Sequence, residues 1–132
     1  MEEDEIVAGY GLRPEGAQLD EIRELLAEVA AQGYDADTLA MKVYCVQLFN
    51  HGSLEDVLPI WRAKKSGWDA QFSIDVQLLC GAGLEATKAF LAGHPAPEAR
   101  RALDYLVACE EAGDFEDFSV MERTASYDRY YT

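Results

Sequence analysis

Residues 46–55 read Val-Gln-Leu-Phe-Asn-His-Gly-Ser-Leu-Glu, and residues 76–85 repeat the phrase as Val-Gln-Leu-Leu-Cys-Gly-Ala-Gly-Leu-Glu. Each copy is an apolar run, then a turn of small residues, then a Leu-Glu pair that opens a second apolar run. A weaker third copy lies at 103–118, where Ala-Gly-Asp-Phe-Glu occupies the turn. A period of about 30 residues with this internal order predicts stacked helical hairpins.

Apolar stripes with helical spacing continue on both sides of the repeat. Predicted helices cover residues 17–32, 37–50, 53–65, 70–80, 84–92, 98–112 and 119–130. Short connections between helices of this length force neighbouring helices to run antiparallel. No stretch alternates with period two for long enough to predict a strand. The predicted fold class is therefore all-α, with antiparallel helical hairpins stacked as a short solenoid or packed as a compact bundle of about seven helices.

The chain length favours one domain. Residues 1–16 are rich in glycine and acidic residues, which predicts an irregular acidic N-terminal arm, and 17–132 are predicted to form a single all-helical domain. The helix predicted over 53–65 contains Pro59, which would cost about 3 kcal/mol in a helix interior. The proline predicts either a kink there or a helix that begins after Ser53.

The turns at 52–58 (Gly-Ser-Leu-Glu-Asp-Val-Leu) and 82–91 (Ala-Gly-Leu-Glu-Ala-Thr-Lys-Ala-Phe-Leu) carry a family resemblance. They resemble the inter-helix turn and second helix of ankyrin repeats, which follow the pattern Gly-x-Leu-Glu-Val-Val-x-x-Leu-Leu. The Thr-Pro-Leu-His opening of ankyrin repeats is absent, and HEAT-like hairpins or a non-repetitive bundle match the pattern equally well. The resemblance implies a protein-binding scaffold without chemistry of its own.

The charge balance limits the possible partners. The chain has 25 acidic and 11 basic residues, a net charge of −14. Nucleic-acid phosphates and anionic membrane surfaces would be repelled, so we predict neither nucleic-acid nor membrane binding, whereas a basic protein would be attracted. No apolar run approaches the roughly 20 residues that cross a bilayer, and the acidic start is unlike a signal peptide. A cytoplasmic location is the expectation.

No sequence pattern points to catalysis. Cys45, Cys80 and Cys109 lie in apolar runs without Cys-x-x-Cys spacing, which is typical of reduced, buried thiols. P-loop, dinucleotide, zinc-protease and EF-hand patterns are absent. Cys80 with His94 would form a nucleophilic pair only if folding brought them together. We predict a protein that is not an enzyme and holds no metal or cofactor.

The densest acidic cluster is the most prominent candidate site. It lies between the helices predicted at 98–112 and 119–130, and two phenylalanines are interleaved with it. A solvated acidic face is the plain interpretation, and a docking surface is the alternative, since aromatic residues amid charge are typical of interface centres. Exposed tryptophan and tyrosine side chains elsewhere combine a large apolar surface with a polar N–H or O–H group, which suits a binding interface. The predicted partner-binding residues are Glu110, Glu111, Asp114, Glu116, Asp117, Trp68, Tyr127 and Tyr130.

Together these patterns predict a non-catalytic protein-binding module. It is an acidic cytosolic protein that binds or neutralises a basic partner, as a bacterial immunity protein neutralises a nuclease-type toxin. The alternative is a small helical regulatory or ligand-binding domain with a pocket between hairpins. An enclosed apolar pocket would favour the alternative, and an open charged face would favour the protein-binding module.

Overall fold

A computed structural model describes residues 2–131, so Met1 and Thr132, the outer ends of the predicted ranges 1–16 and 17–132, lie outside the described residues. Between these ends the chain forms helices and turns without any strand, which confirms the all-α prediction. The α-helices are α1 (Glu3–Tyr10), α2 (Ala17–Ala30), α3 (Thr38–His51), α4 (Val57–Lys64), α5 (Trp68–Ser73), α6 (Leu84–Gly93), α7 (Pro97–Glu111) and α8 (Val120–Tyr131). Short 3-10 segments stand at Gly33–Asp35, Leu54–Asp56 and Val76–Cys80.

Helix α3 forms the centre of the fold. It begins at the Asp37 cap, whose Oδ1 accepts from the Ala40 N–H at 3.1 Å, and ends at Gly52, whose φ of 78° is accessible to glycine. Its side chains from Val43 to Phe49 are all buried, because α1, α2, α5 and the 3-10 segment Val76–Cys80 pack around it. A helix that is apolar on most of its circumference needs neighbours on several sides.

The two copies of the repeated phrase adopt different backbones. The first ends α3, whereas the second forms the 3-10 segment Val76–Cys80. Their glutamines nevertheless have matching roles. The Gln47 side-chain amide donates to the Gly11 carbonyl at 2.7 Å, and the Gln77 amide donates to the Asp114 carbonyl at 2.7 Å. Each copy therefore ties a distant connection to the core, and the described helices give no evidence of ankyrin or HEAT repeats.

The N-terminal segment differs from the irregular arm predicted over 1–16. Residues Glu3–Tyr10 form α1, and Ile6 is fully buried against the core that surrounds α3. The Gly11 and Leu12 carbonyls accept from Gln47 and Asn50 of α3 at 2.7 and 2.8 Å. Burial of Ile6 and two side-chain hydrogen bonds to the residues that follow α1 therefore hold in place a short helix that contains Gly9, an unfavourable residue in a helix interior.

The single helix predicted over 70–80 is wrong. Helix α5 ends at Ser73, and Ile74 adopts an extended conformation with φ −96° and ψ 107° before the next segment begins. Lys64 explains the break, because its buried ammonium group donates to the main-chain carbonyls of Gln71 and Ile74. Phe72, an apolar residue of α5, is 70 % exposed.

Pro59 is accommodated by a late helix start. A 3-10 turn follows Ser53, and α4 begins only at Val57, so the proline lies in the first turn, where a missing N–H costs little. Trp61 on the same helix is buried. Leu39, an apolar residue in the first turn of α3, is 56 % exposed.

Candidate functional site

The connection between α7 and α8 carries most of the predicted acidic cluster. Gly113 turns the chain with a φ of 96°, and Phe115 then inserts into the core with its ring 5.3 Å from that of Phe118. Asp117 has a φ of 56°, a conformation that aspartate tolerates better than most residues. With Phe115 anchored and the Asp114 carbonyl bound by Gln77, the acidic side chains of the loop stay at the surface.

These side chains surround a shallow depression of about 300 Å³. We call it the acidic depression and define it by Asp114, Glu116, Asp117, Glu122 and the partly buried Phe118. Sequence reasoning named three of these carboxylates and missed Glu122. The signal was present in the Ser-x-x-Glu spacing, because Ser119 Oγ accepts from the Glu122 N–H at 3.3 Å and so fixes Glu122 in the first turn of α8.

The two remaining acidic candidates lie outside the acidic depression. Lys88 Nζ donates to Glu110 Oε1 at 2.9 Å, and this hydrogen bond raises the pKa of Lys88. The charge of Glu110 is therefore largely matched within the molecule. Glu111 is exposed at the end of α7 and adds to the acidic field without lining the depression.

The predicted aromatic residues are dispersed. Tyr127 is buried, its ring lies 5.9 Å from that of Phe49, and its hydroxyl contacts Asp75 at 3.3 Å, so it has a packing role instead of the predicted binding role. Burial raises the pKa of Tyr127. Tyr130 is exposed at the end of α8, and Trp68 is exposed on α5; neither lines the acidic depression.

The three cysteines and His94 have structural roles. Burial raises the pKa of Cys45 and Cys109, and it raises that of Cys80 to about 12, so these thiols stay protonated at neutral pH. His94 Nδ1 accepts from the Ala96 N–H at 3.1 Å, and its ring packs 5.5 Å from that of Phe90. Between residues 2 and 131, no three acidic, cysteine or histidine side chains lie close enough to hold a metal ion.

A second concave surface lies between α2 and α4. This α2–α4 trough has a volume of about 410 Å³, is open to solvent, and is lined largely by apolar side chains: Leu26, Ala27, Ala30, Ala31 and Pro59. At one end, Arg23 Nε and Nη2 donate to the buried carboxylate of Asp56 at 2.8 and 3.1 Å. This pair ties α2 to the turn before α4 and fixes the width of the trough.

Comparisons of the chain with protein-family models, with curated proteins and with solved structures gave no match. Among the described helices, none has both the length and the apolar character needed to span a membrane. The acidic depression and the α2–α4 trough are therefore the candidate binding surfaces.

Proposed function

We propose that the protein is a non-catalytic protein-binding module that takes a basic partner at the acidic depression, in the manner of an immunity protein. The observation that carries the proposal is the grouping of four exposed carboxylates around one aromatic side chain. The lining residues include a single cation, Arg123. Such a surface attracts basic side chains over a distance, and Phe118 offers an apolar contact once they arrive.

The rest of the molecule is consistent with this proposal. The net charge of −14 adds long-range attraction for a basic protein, which raises the association rate. The protonated, largely buried thiols and the structural hydrogen bond of His94 offer no activated nucleophile. The proposed setting is the cytoplasm, where free cysteines stay reduced.

The experiment uses a fluorescent, lysine-rich helical peptide with two leucines, and a glutamate-rich peptide of the same pattern. We expect the lysine-rich peptide to bind, with an association constant that falls about tenfold between roughly 50 and 200 mM salt because its attraction is screened. The glutamate-rich peptide should leave the acidic depression empty. Salt-independent binding of the lysine-rich peptide would contradict the proposal.

Two matched charge variants separate a local site from overall charge. The site variant carries Asp114→Asn, Glu116→Gln, Asp117→Asn and Glu122→Gln. The control variant changes four other exposed acids by the same chemistry: Asp4→Asn, Glu24→Gln, Glu28→Gln and Asp35→Asn. We expect the site variant to bind the lysine-rich peptide about tenfold more weakly and the control variant about twofold more weakly. Equal losses would show that only net charge matters.

The second candidate function is a ligand-binding domain that uses the α2–α4 trough. The apolar lining of the trough favours it, whereas the open shape disfavours it, because small-molecule sites bury most of the ligand. Binding of an apolar fluorescent dye tests this candidate. Dye binding that Ala30→Glu abolishes would support it, and dye binding unaffected by that substitution would exclude the trough.

A further inference from the structure

The α2–α4 trough continues into two more depressions around the C-terminal half of α4. One, of about 470 Å³, lies between α4 and α7, and the other, of about 300 Å³, lies where Tyr34 and Trp68 approach each other. Arg62 lines both the trough and the depression between α4 and α7, and Ser66 lines both the trough and the depression at Tyr34 and Trp68. Lys65 lines the two additional depressions. The three depressions adjoin at these shared residues, and we call them together the α4 face.

Exposed aromatic side chains rim one end of the α4 face. Tyr34 is 86 % exposed, Trp68 is 69 % exposed and Phe72 is 70 % exposed. The Trp68 and Phe72 rings lie 5.3 Å apart on α5, whose opposite side buries Ala70. Gly67 brings Tyr34 to the same place, because a Cβ at Gly67 would lie only 3.3 Å from the carbonyl oxygen of residue 33. Adjoining exposed aromatic residues mark an interaction surface more often than solitary ones do.

The charge of the α4 face differs from that of the remaining surface. Four cations and three carboxylates line its depressions, in a protein with a net charge of −14. Arg23 and Arg62 are matched by Asp56 and Glu98. Lys65 and Arg101 remain exposed, with Lys65 Nζ 5.5 Å from the Trp61 ring centroid and 3.1 Å from the Gln71 side-chain oxygen. The face therefore has a positive end next to an apolar trough.

We propose that the α4 face is a second docking surface, which takes an amphipathic helix with acidic flanks from a protein partner. The apolar stripe of the helix would lie in the trough, and its acidic residues would lie against Lys65 and Arg101, which are the complementary charges. The small alanines of α2 allow close approach of a helix backbone. This proposal uses none of the residues of the acidic depression, so it stands apart from the proposed function.

The dimensions of the surface favour an elongated occupant. Residues 23–30 of α2 extend about 10 Å along the trough, and the face continues past Ser66 to Tyr34 and Trp68. One drug-sized molecule would fill a single depression of a few hundred Å³ and leave the aromatic rim and the cations bare. An elongated occupant such as an amphipathic helix would contact more than one of the three depressions.

The experiment titrates the full chain with three designed helical peptides and follows Trp68 emission. The acidic and basic peptides share a leucine stripe at helical spacing, and the third is the acidic peptide with its leucines scrambled. Trp68 is exposed while Trp61 is buried, so a blue shift reports a ligand at the α4 face, and Trp68→Phe identifies the signal. A basic peptide held at the acidic depression leaves this emission unchanged.

We expect the acidic peptide to shift Trp68 emission with an affinity at least about tenfold above that of the other two peptides. An absent shift, a preference for the basic peptide, or equal binding of the scrambled peptide would each overturn the proposal.

A charge-reversal variant then tests the cations. Lys65→Glu with Arg101→Glu should weaken the acidic peptide about tenfold and let the basic peptide shift Trp68 emission. Arg100→Glu with Arg129→Glu makes the same change in net charge at exposed sites outside the face and should alter affinity less than about threefold. Equal effects of the two variants would overturn the proposal. Circular dichroism checks folding, and Arg101→Glu alone serves where the double variant does not fold.

Discussion

Among the glycines of the described residues, Gly81 leaves the least room for a side chain. A Cβ there would lie 2.4 Å from the Phe49 carbonyl oxygen and 3.0 Å from the Phe49 Cα, both of them backbone atoms of α3 that cannot rotate away. We therefore expect Gly81→Ala to lower the free energy of unfolding by about 2–3 kcal/mol through overpacking. Urea denaturation, with the midpoint and slope compared to wild type, measures the effect.

Gly9→Ala is the matched control. Gly9 lies within α1, and a Cβ there would meet nothing within 4 Å. Because alanine loses less backbone entropy than glycine in a helix, we expect the substitution to stabilise the protein by about 0.5–1 kcal/mol. A Gly81→Ala protein as stable as wild type would mean that the approach of Gly81 to α3 is looser than its geometry indicates.

The structural role of some residues can be predicted from the neighbouring sequence, and that of others cannot. The Asp37 cap and the burial of Trp61 follow from capping preference and helical spacing within a few residues. The role of Gly81 depends on a helix about 30 residues away in sequence, and the burial of Tyr127 depends on Phe49 in α3. Contacts of this kind have no local signature, and sequence reasoning misplaced Tyr127 for that reason.

At the scale of elements, Lys64 determines where α5 ends. Its side chain is 3 % exposed, and it donates to the carbonyls of Gln71 and Ile74, which have lost their helical donors. Lys64→Met keeps the volume and removes the donor. We expect α5 to open more often, with amide hydrogen exchange over residues 68–73 about tenfold faster, equivalent to about 1.4 kcal/mol of local stability.

Lys42→Met serves as the control for Lys64→Met, because Lys42 is half-buried and only approaches Asp75 at 3.6 Å. It should leave exchange in α5 unchanged. Burial lowers the pKa of Lys64 from its ordinary value of 10.5, so below pH 10.5 the unfolded chain holds this proton more firmly than the folded one. The free energy of unfolding of the wild type should therefore increase relative to that of Lys64→Met as pH rises toward 10.5. A difference in free energy of unfolding that decreases with pH would contradict this account.

The elements that were predicted wrongly are those whose limits are set by side-chain contacts with other elements. Helices α2, α3, α6, α7 and α8 follow from apolar stripes, capping residues and Gly or Pro stops, and their predicted boundaries were close. The break after Ser73 requires the Lys64 ammonium group, and α1 requires Ile6 in the core and Gln47 bound to Gly11. The bond between Gln47 and Gly11 spans 36 residues, which is beyond any window in which periodicity is read. The Lys64 bonds span only 7 and 10 residues, but periodicity does not report a hydrogen bond from a side chain to main-chain carbonyls.

At the scale of the whole molecule, the fold class followed from sequence and the functional surfaces followed only in part. The absence of stretches that alternate with period two was enough to predict an all-α fold, because hydrophobic periodicity can be read without knowing how the elements pack. Three of the four carboxylates of the acidic depression were predicted, because they lie close together in one loop. The α4 face instead combines residues from four helices and several of the connections between helices. Lys65 and Arg101 line one depression, and Tyr34 and Trp68 line another. No pattern in the sequence indicates that either pair of residues lies together.

The net charge of −14 also has a consequence for stability. Folding brings the acidic residues closer together, and at about 10 mM salt the Debye length of about 30 Å lets the whole molecule repel itself, against about 8 Å at 150 mM. Salt also weakens exposed ion pairs, such as Arg100 with Asp104, but each of these contributes only about 0–1 kcal/mol. Repulsion among many unmatched acids therefore outweighs the pairs, and stability should rise with salt.

We expect the melting temperature to increase by about 3–6 °C between 10 and 150 mM sodium chloride, as a gain of about 1 kcal/mol would produce in a chain of this size. Differential scanning calorimetry measures it. The variant with Asp4→Asn, Glu24→Gln, Glu28→Gln and Asp35→Asn should melt higher than wild type at low salt and respond less to added salt, since it has less repulsion to screen. A melting temperature that falls with salt would mean that ion pairs, above all the buried pair of Arg23 with Asp56, outweigh the repulsion.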